Sequence, residues 1–150
     1  MQVVYHESPA HYDNFIKLVI GSVYVMLVLS GVGVYVDMGL EGLLVLLLAA
    51  LLLTLILYLV MPRKYQVLDD RVVVVLGPLL SFNIWFSTIR EVTQSWGVLL
   101  SLNFVTSVSP RYVVCILRHR GLAVAITPSD PQAFIAALER AISLWKRTGS

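Results

Sequence analysis

One uncharged stretch, Leu43 to Met61 (LLVLLLAALLLTLILYLVM), constrains this chain more than any other part of it. At 1.5 Å per residue, roughly 19 helical residues are about 28 Å long, close to the thickness of a bilayer's hydrocarbon core. A surface helix of a soluble domain has a polar face, and this stretch has none. It therefore predicts a transmembrane helix.

The composition also indicates a membrane protein. Of the 150 residues, 58% are hydrophobic and 13% are charged, and the mean hydropathy is +0.83. Soluble domains carry about 25% charged residues. The net charge is +2 and the eleven Lys and Arg residues are scattered, so nucleic-acid binding is not expected. The single cysteine excludes an internal disulfide.

A second apolar segment, about residues 15–36, precedes the first and predicts another transmembrane helix. Residues 37–42 (DMGLEG) would be a short loop, which forces an antiparallel helical hairpin over residues 15–61. This loop holds no Lys or Arg, whereas Lys17, Arg63 and Lys64 flank the other ends. The positive-inside rule then predicts a multi-pass protein of the cytoplasmic (inner) membrane with both termini, including the segment 1–14, in the cytoplasm.

After Pro62 the pattern changes to short β-like runs separated by turn residues, which predicts a small, mainly β cytoplasmic domain over residues 62–150. Its last segment predicts an amphipathic helix, because Ser129 and Gln132 fit a capping box and one stripe of the following residues is apolar. The expected strands are Tyr65–Leu68, Arg71–Leu76, Ser81–Val92, Tyr112–Leu117 and Leu122–Thr127.

Two motifs carry a resemblance to a known family. Ile89-Arg90-Glu91-Val92 matches an I-x-x-V run, and Thr127 to Phe134 (TPSDPQAF) matches a closing strand that leads into a C-terminal helix. Over about residues 62–147 the chain resembles the bacterial pleckstrin-homology-like (PH-like) domain family. The resemblance implies two antiparallel sheets of about seven strands in total, capped by the helix. Members are commonly attached to membrane hairpins.

The chain departs from the phosphoinositide-binding members of the wider superfamily at the first hairpin of the domain. Those members place several basic residues there, and this chain has Asp69-Asp70-Arg71. Carboxylates repel a phosphorylated headgroup, so we do not expect specific phosphoinositide binding.

Three basic residues next to the apolar segments, Lys17, Arg63 and Lys64, are candidate contacts for anionic lipid headgroups. The alternative for Arg63 and Lys64 is a topology signal that contacts lipids without specificity. Arg118 and Arg120 lie in a predicted hairpin turn, where they either bind an acidic partner or phosphate, or are simply solvated.

The segment from Trp96 to Val105 is unusually apolar for a small domain, as are Trp85 and Phe86. Three interpretations stay open: these residues lie in the domain's own core, at the bilayer interface, or against a partner protein. The candidate partner contacts are Trp85, Phe86, Trp96, Leu99, Leu100, Phe104, Arg118 and Arg120.

No pattern for nucleophilic catalysis, metal binding or cofactor binding stands out, so we expect no enzyme, no cofactor and no metal. The leading hypothesis is a non-catalytic, membrane-anchored PH-like interaction protein that scaffolds or stabilises a membrane protein assembly. The alternatives are an accessory small subunit of a larger respiratory or photosynthetic membrane complex, and a module that senses an anionic lipid or another ligand. The expected partners are membrane lipids and other integral membrane proteins.

Overall fold

The computed structural model describes residues 4–94 and 101–148. Its longest element is the helix α1 (Asn14–Val60). Judged by length and composition, α1 is the one helix among the described residues that could cross a membrane. The chain thus has a candidate membrane helix near its N-terminus.

The prediction of two transmembrane helices, 15–36 and 43–61, separated by a loop is wrong. α1 continues through residues 37–42, and Gly39 is its one residue with non-helical backbone angles (φ 65°, ψ −151°). Glycine can adopt this conformation because it has no Cβ, whereas other residues are strained there. The helix axis therefore changes direction at a single residue, and no loop is needed.

Side-chain contacts show how sharply α1 bends at Gly39. In a straight helix, residues 24 and 54 would lie about 45 Å apart, yet the Tyr24 and Thr54 hydroxyl oxygens are 2.8 Å apart. Gly31 is buried between the two arms, residues 14–38 and 40–60, and a Cβ there would lie 3.4 Å from Cδ2 of Leu46. The two arms of α1 thus pack against each other.

The first sheet includes a strand from before α1. Its order is β1 (His6–Pro9), β2 (Pro62–Val67), β3 (Arg71–Leu76) and β4 (Leu80–Trp85), and all neighbours are antiparallel. The bounds predicted for β3 are confirmed, while β1 was not predicted. Because β1 and β2 flank α1 in sequence and pair with each other, both ends of α1 lie at the same end of this sheet.

The second sheet has the order β5-β7-β8-β6, formed by β5 (Ile89–Thr93), β6 (Ser101–Phe104), β7 (Val114–Arg118) and β8 (Ala123–Ile126). Strand β6 is parallel to β8, and the other pairs are antiparallel. The predicted run Ser81–Val92 is divided by a 3₁₀ turn at Phe86–Thr88 into β4 and β5.

The helix α2 (Pro131–Thr148) closes the core between the sheets. Asp130, rather than the predicted Ser129, caps it: the backbone N–H of Ala133 donates to Oδ1 of Asp130 at 3.0 Å. Phe134 and Leu138 are fully buried against both sheets. Each such side chain contributes about 1.5–3 kcal/mol on burial.

Two four-stranded sheets and a C-terminal helix are loosely compatible with the PH-like half of the predicted fold. The described residues form eight strands where about seven were expected, and the second sheet contains the parallel pair β6–β8. The eighth strand is β1, which joins the sheet from the far side of α1.

Candidate interaction surfaces

The β-domain has two ends that differ in their relation to α1. Strand β2 begins at Pro62, shortly after the end of α1, and reaches Val67 about 17 Å away at 3.3 Å per residue. The turn 68–70, the segment 85–88 and the turn 118–122 lie at the far end, which we call the distal face. Two backbone bonds join these segments: Phe86 N–H donates to the Asp70 carbonyl at 2.9 Å, and His119 N–H to the Thr88 carbonyl at 2.8 Å.

Trp85 is the principal apolar group of the distal face, with 45% of its surface exposed. It is the cross-strand neighbour of Arg71, whose Cζ lies 4.4 Å from the centroid of the indole ring. The Arg71 Nε atom is also 3.1 Å from Oδ1 of Asp70, an ion pair without the angles of a hydrogen bond. Arg71 therefore packs against the indole ring, while nearly half of the Trp85 surface stays open to solvent.

Arg118 and Arg120 lie on the same face, in the β7–β8 turn. Arg120 is exposed, and the Arg118 guanidinium is half-buried beside Gly121, the turn residue with φ 93°. The structure thus places three of the predicted partner contacts, Trp85, Arg118 and Arg120, on the distal face. Arg71, which contacts Trp85, was not predicted, although cross-strand pairing of β3 with β4 would have placed it opposite Trp85.

The other predicted partner contacts lie elsewhere. Phe86 is 2% exposed and packs in the core, with its ring 6.3 Å from that of Trp145, so it does not face a partner in this fold. Phe104 is half-buried and its ring lies 5.3 Å from that of Phe82. Trp96, Leu99 and Leu100 lie outside the described residues.

The predicted lipid contacts lie at the end of the domain that adjoins α1. Lys17 is exposed in the first turn of α1, and Arg63 is exposed with its Cζ 4.3 Å from the centre of the Tyr58 ring. Lys64 instead forms an ion pair with Glu7 across the β1–β2 pair, at 3.1 Å. Lys17 and Arg63 therefore present cations where the ends of α1 meet the domain.

A polar cluster fixes the start of α1 to the β-domain, and the sequence pattern did not indicate it. One carboxylate oxygen of Asp13 accepts hydrogen bonds from the Ser107 hydroxyl at 2.6 Å, the Val108 N–H at 2.7 Å and the Ser109 N–H at 3.2 Å. The Ser107 bond is the main cause of an Asp13 pKa below its usual value of 3.8, and the backbone bonds and His11 lower this pKa further. Asp13 precedes α1 but makes no side-chain capping bond within it.

Three buried hydroxyl groups form a second cluster beneath the first. Tyr65 is fully buried, and its hydroxyl donates to the Phe104 carbonyl at 2.9 Å and accepts from the Thr127 N–H at 3.3 Å. The hydroxyl oxygens of Thr106 and Thr127 are 2.8 Å apart. Burial raises the pKa of Tyr65, so the phenol stays neutral. Each polar atom mentioned has a partner within the domain, which is the arrangement of a structural network rather than a reactive centre.

Tyr12 connects the two ends of α1. Its hydroxyl donates to the Pro62 carbonyl, and the Ala10 N–H donates to the Arg63 carbonyl at 2.9 Å. Burial raises the pKa of Tyr12 to about 12. The segment before α1 and the segment after it are therefore joined by side-chain and backbone bonds.

Comparison of the chain with models of known protein families, with curated proteins and with solved structures finds no match. The class of protein therefore has to be argued from its own parts. These are one long apolar helix, a two-sheet domain tied to both ends of that helix, and an aromatic and arginine-rich surface at the domain's far end.

Proposed function

We propose that this protein is a non-catalytic, membrane-anchored interaction protein. In this proposal α1 lies in the cytoplasmic membrane and the β-domain, of PH-like type, stands on its cytoplasmic side with the distal face directed away from the lipid. The cations of Lys17 and Arg63 support this orientation, since basic residues favour the cytoplasmic side. Pairing of β1 with β2 supports both ends of α1 at one membrane surface.

The observation that carries the proposal is the exposed Trp85 ring, held beside Arg71 at 4.4 Å. Trp and Arg dominate the binding energy of protein interfaces, and an ordered side chain loses little entropy when a partner covers it. Arg118 and Arg120 add positive charge on the same distal face, so the proposed partner is a membrane protein whose cytoplasmic surface offers carboxylates around an apolar pocket.

Purification of the full-length protein from its native membrane in mild detergent tests this function. Mass spectrometry should find a partner in a fixed ratio to the chain. Truncation of a central interface Trp costs about 2 kcal/mol or more, or roughly 30-fold in affinity, so Trp85→Ala should remove this partner. Arg120→Glu should weaken the complex at least about tenfold by reversing a charge.

Two control variants lie on α2, outside the distal face. Arg140→Glu makes the same charge change at an exposed site, and Leu144→Ala truncates a side chain that is 39% exposed. Both controls should keep the partner. A protein that purifies alone, or a complex that survives both Trp85→Ala and Arg120→Glu, would contradict the proposed function.

A further inference from the structure

The turn between β3 and β4 exposes more apolar surface than any other part of the described β-domain. Leu79 is 83% exposed, whereas no other large apolar side chain among the described residues outside α1 is more than 48% exposed. The adjacent Leu80, the first residue of β4, is 46% exposed. An isolated turn in water gains nothing from a leucine at this position. The position of this turn relative to α1 indicates what covers it.

Gly77 fixes the turn against the last turn of α1. Its N–H donates to the Met61 carbonyl at 3.2 Å. A Cβ at Gly77 would lie 2.7 Å from the carbonyl oxygens of Tyr58 and Leu59, and the residue has a positive φ of 28°, so glycine alone allows this approach. Leu79 and Leu80 therefore lie beside the point where α1 ends and the sheet begins.

Leu79 and Leu80 thus form one apolar tip of the domain, and a second apolar tip lies at the other end of α1. Val108 is 45% exposed and its N–H donates to the carboxylate of Asp13, the residue directly before α1. The loop that carries Val108 is thus bound to the residue before α1, as the loop that carries Leu79 is bound to the residue after it. Arg111 is exposed shortly after Val108 in sequence, and Lys17 and Arg63 are exposed near the start and the end of α1.

We propose that the two tips, Leu79-Leu80 and Val108, insert into the interfacial layer of the membrane and hold the β-domain against the lipid. We call this arrangement the seat. This inference rests on the proposed location of α1 in the membrane. Each tip is bound to the chain at one end of α1, whose exposed surface is apolar, and the cations of Lys17, Arg63 and Arg111 suit the phosphate layer. The seat would fix the direction in which the distal face points.

Site-specific labelling of the full-length protein in phospholipid vesicles tests the seat. The buried Cys115 is replaced by Ala, and single cysteines are placed at Leu79, Val108, Leu122 and Val45 to carry a nitroxide label. Leu122 is the matched control, because it is 45% exposed like Val108 but lies on the distal face. Val45 is 69% exposed in the second arm of α1 and reports whether that helix is in lipid.

The expected result is a graded accessibility to oxygen and to a water-soluble relaxation agent. Val45 should be in hydrocarbon, Leu79 and Val108 in the interfacial layer, and Leu122 in water. A label at Val45 in water would overturn the membrane location of α1, and the seat with it. A label at Val45 in lipid combined with Leu79 or Val108 as accessible to water as Leu122 would overturn the two-tip seat alone.

Discussion

At the scale of single residues, Asp13 determines how the helix and the domain are joined. Its carboxylate binds a loop that begins 94 residues further along the chain. His11 also belongs to this junction: its Nε2 is 3.3 Å from Oδ1 of Asp13 and its ring stacks on Tyr112 with centroids 3.8 Å apart. In the sequence, His11 and Asp13 fit an ordinary polar segment before a helix, because local patterns contain no information about partners so distant.

Replacement of Asp13 should lower stability, and the loss should depend on pH. The lowered pKa of Asp13 means that its ionised form stabilises the fold above the usual pKa of 3.8, and that this contribution is lost as pH falls towards the lowered pKa. Asp13→Asn should therefore reduce the free energy of unfolding by about 2 kcal/mol at pH 7 and by much less in strong acid. Thermal unfolding in detergent at several pH values measures this.

The matched control for this replacement is Asp69→Asn, in the exposed turn before β3, which should change stability little at any pH. Equal losses in the two variants, or a loss at Asp13 that does not shrink on acidification, would show that the carboxylate does not act as described.

At the scale of elements, the sequence predicted a loop that α1 does not have and missed the strand β1. The six residues DMGLEG indicated a loop, but Gly39 alone changes the direction of α1 and its neighbours stay helical. The β-branched run of β3 was predictable because four consecutive valines favour a strand wherever they lie. Strand β1 was not predictable, since four residues ending in Pro9 have no strand pattern of their own.

Gly39→Ala should destabilise the packing of the two arms of α1. A Cβ in this conformation costs about 1–3 kcal/mol, and relief of that strain would straighten the helix and separate Tyr24 from Thr54. Gly33→Ala is the matched control, because no atom lies within 4 Å of the new methyl group and α1 is helical there. Thermal unfolding in detergent should show a lower midpoint for the first variant only; equal midpoints would contradict the assigned role of Gly39.

At the scale of the whole molecule, α1 lies in sequence between two paired strands of the first sheet, so it does not simply precede the domain. Strand β1 comes before α1 and β2 after it, so the domain is complete only when both ends of α1 return to it. Sequence patterns indicated a domain that begins at residue 62, because the apolar run ends there. The pairing across 47 helical residues is a tertiary property that no local pattern contains.

This topology predicts which fragment folds in water. The fragment 62–150 lacks β1, so the edge of β2 that holds Tyr65 and Val67 becomes exposed, and the loop 107–109 loses Asp13. A chimera that joins residues 1–13 to 62–150 through a short Gly-Ser linker keeps both. The Ala10 N–H to Arg63 carbonyl bond of 2.9 Å shows that the ends are close enough.

The chimera should be monomeric with cooperative thermal unfolding. The bare fragment should aggregate or unfold at least about 10 °C lower, as a loss of about 2 kcal/mol implies for a domain of this size. Equal stability of the two proteins would show that β1 is dispensable and that the domain begins after α1.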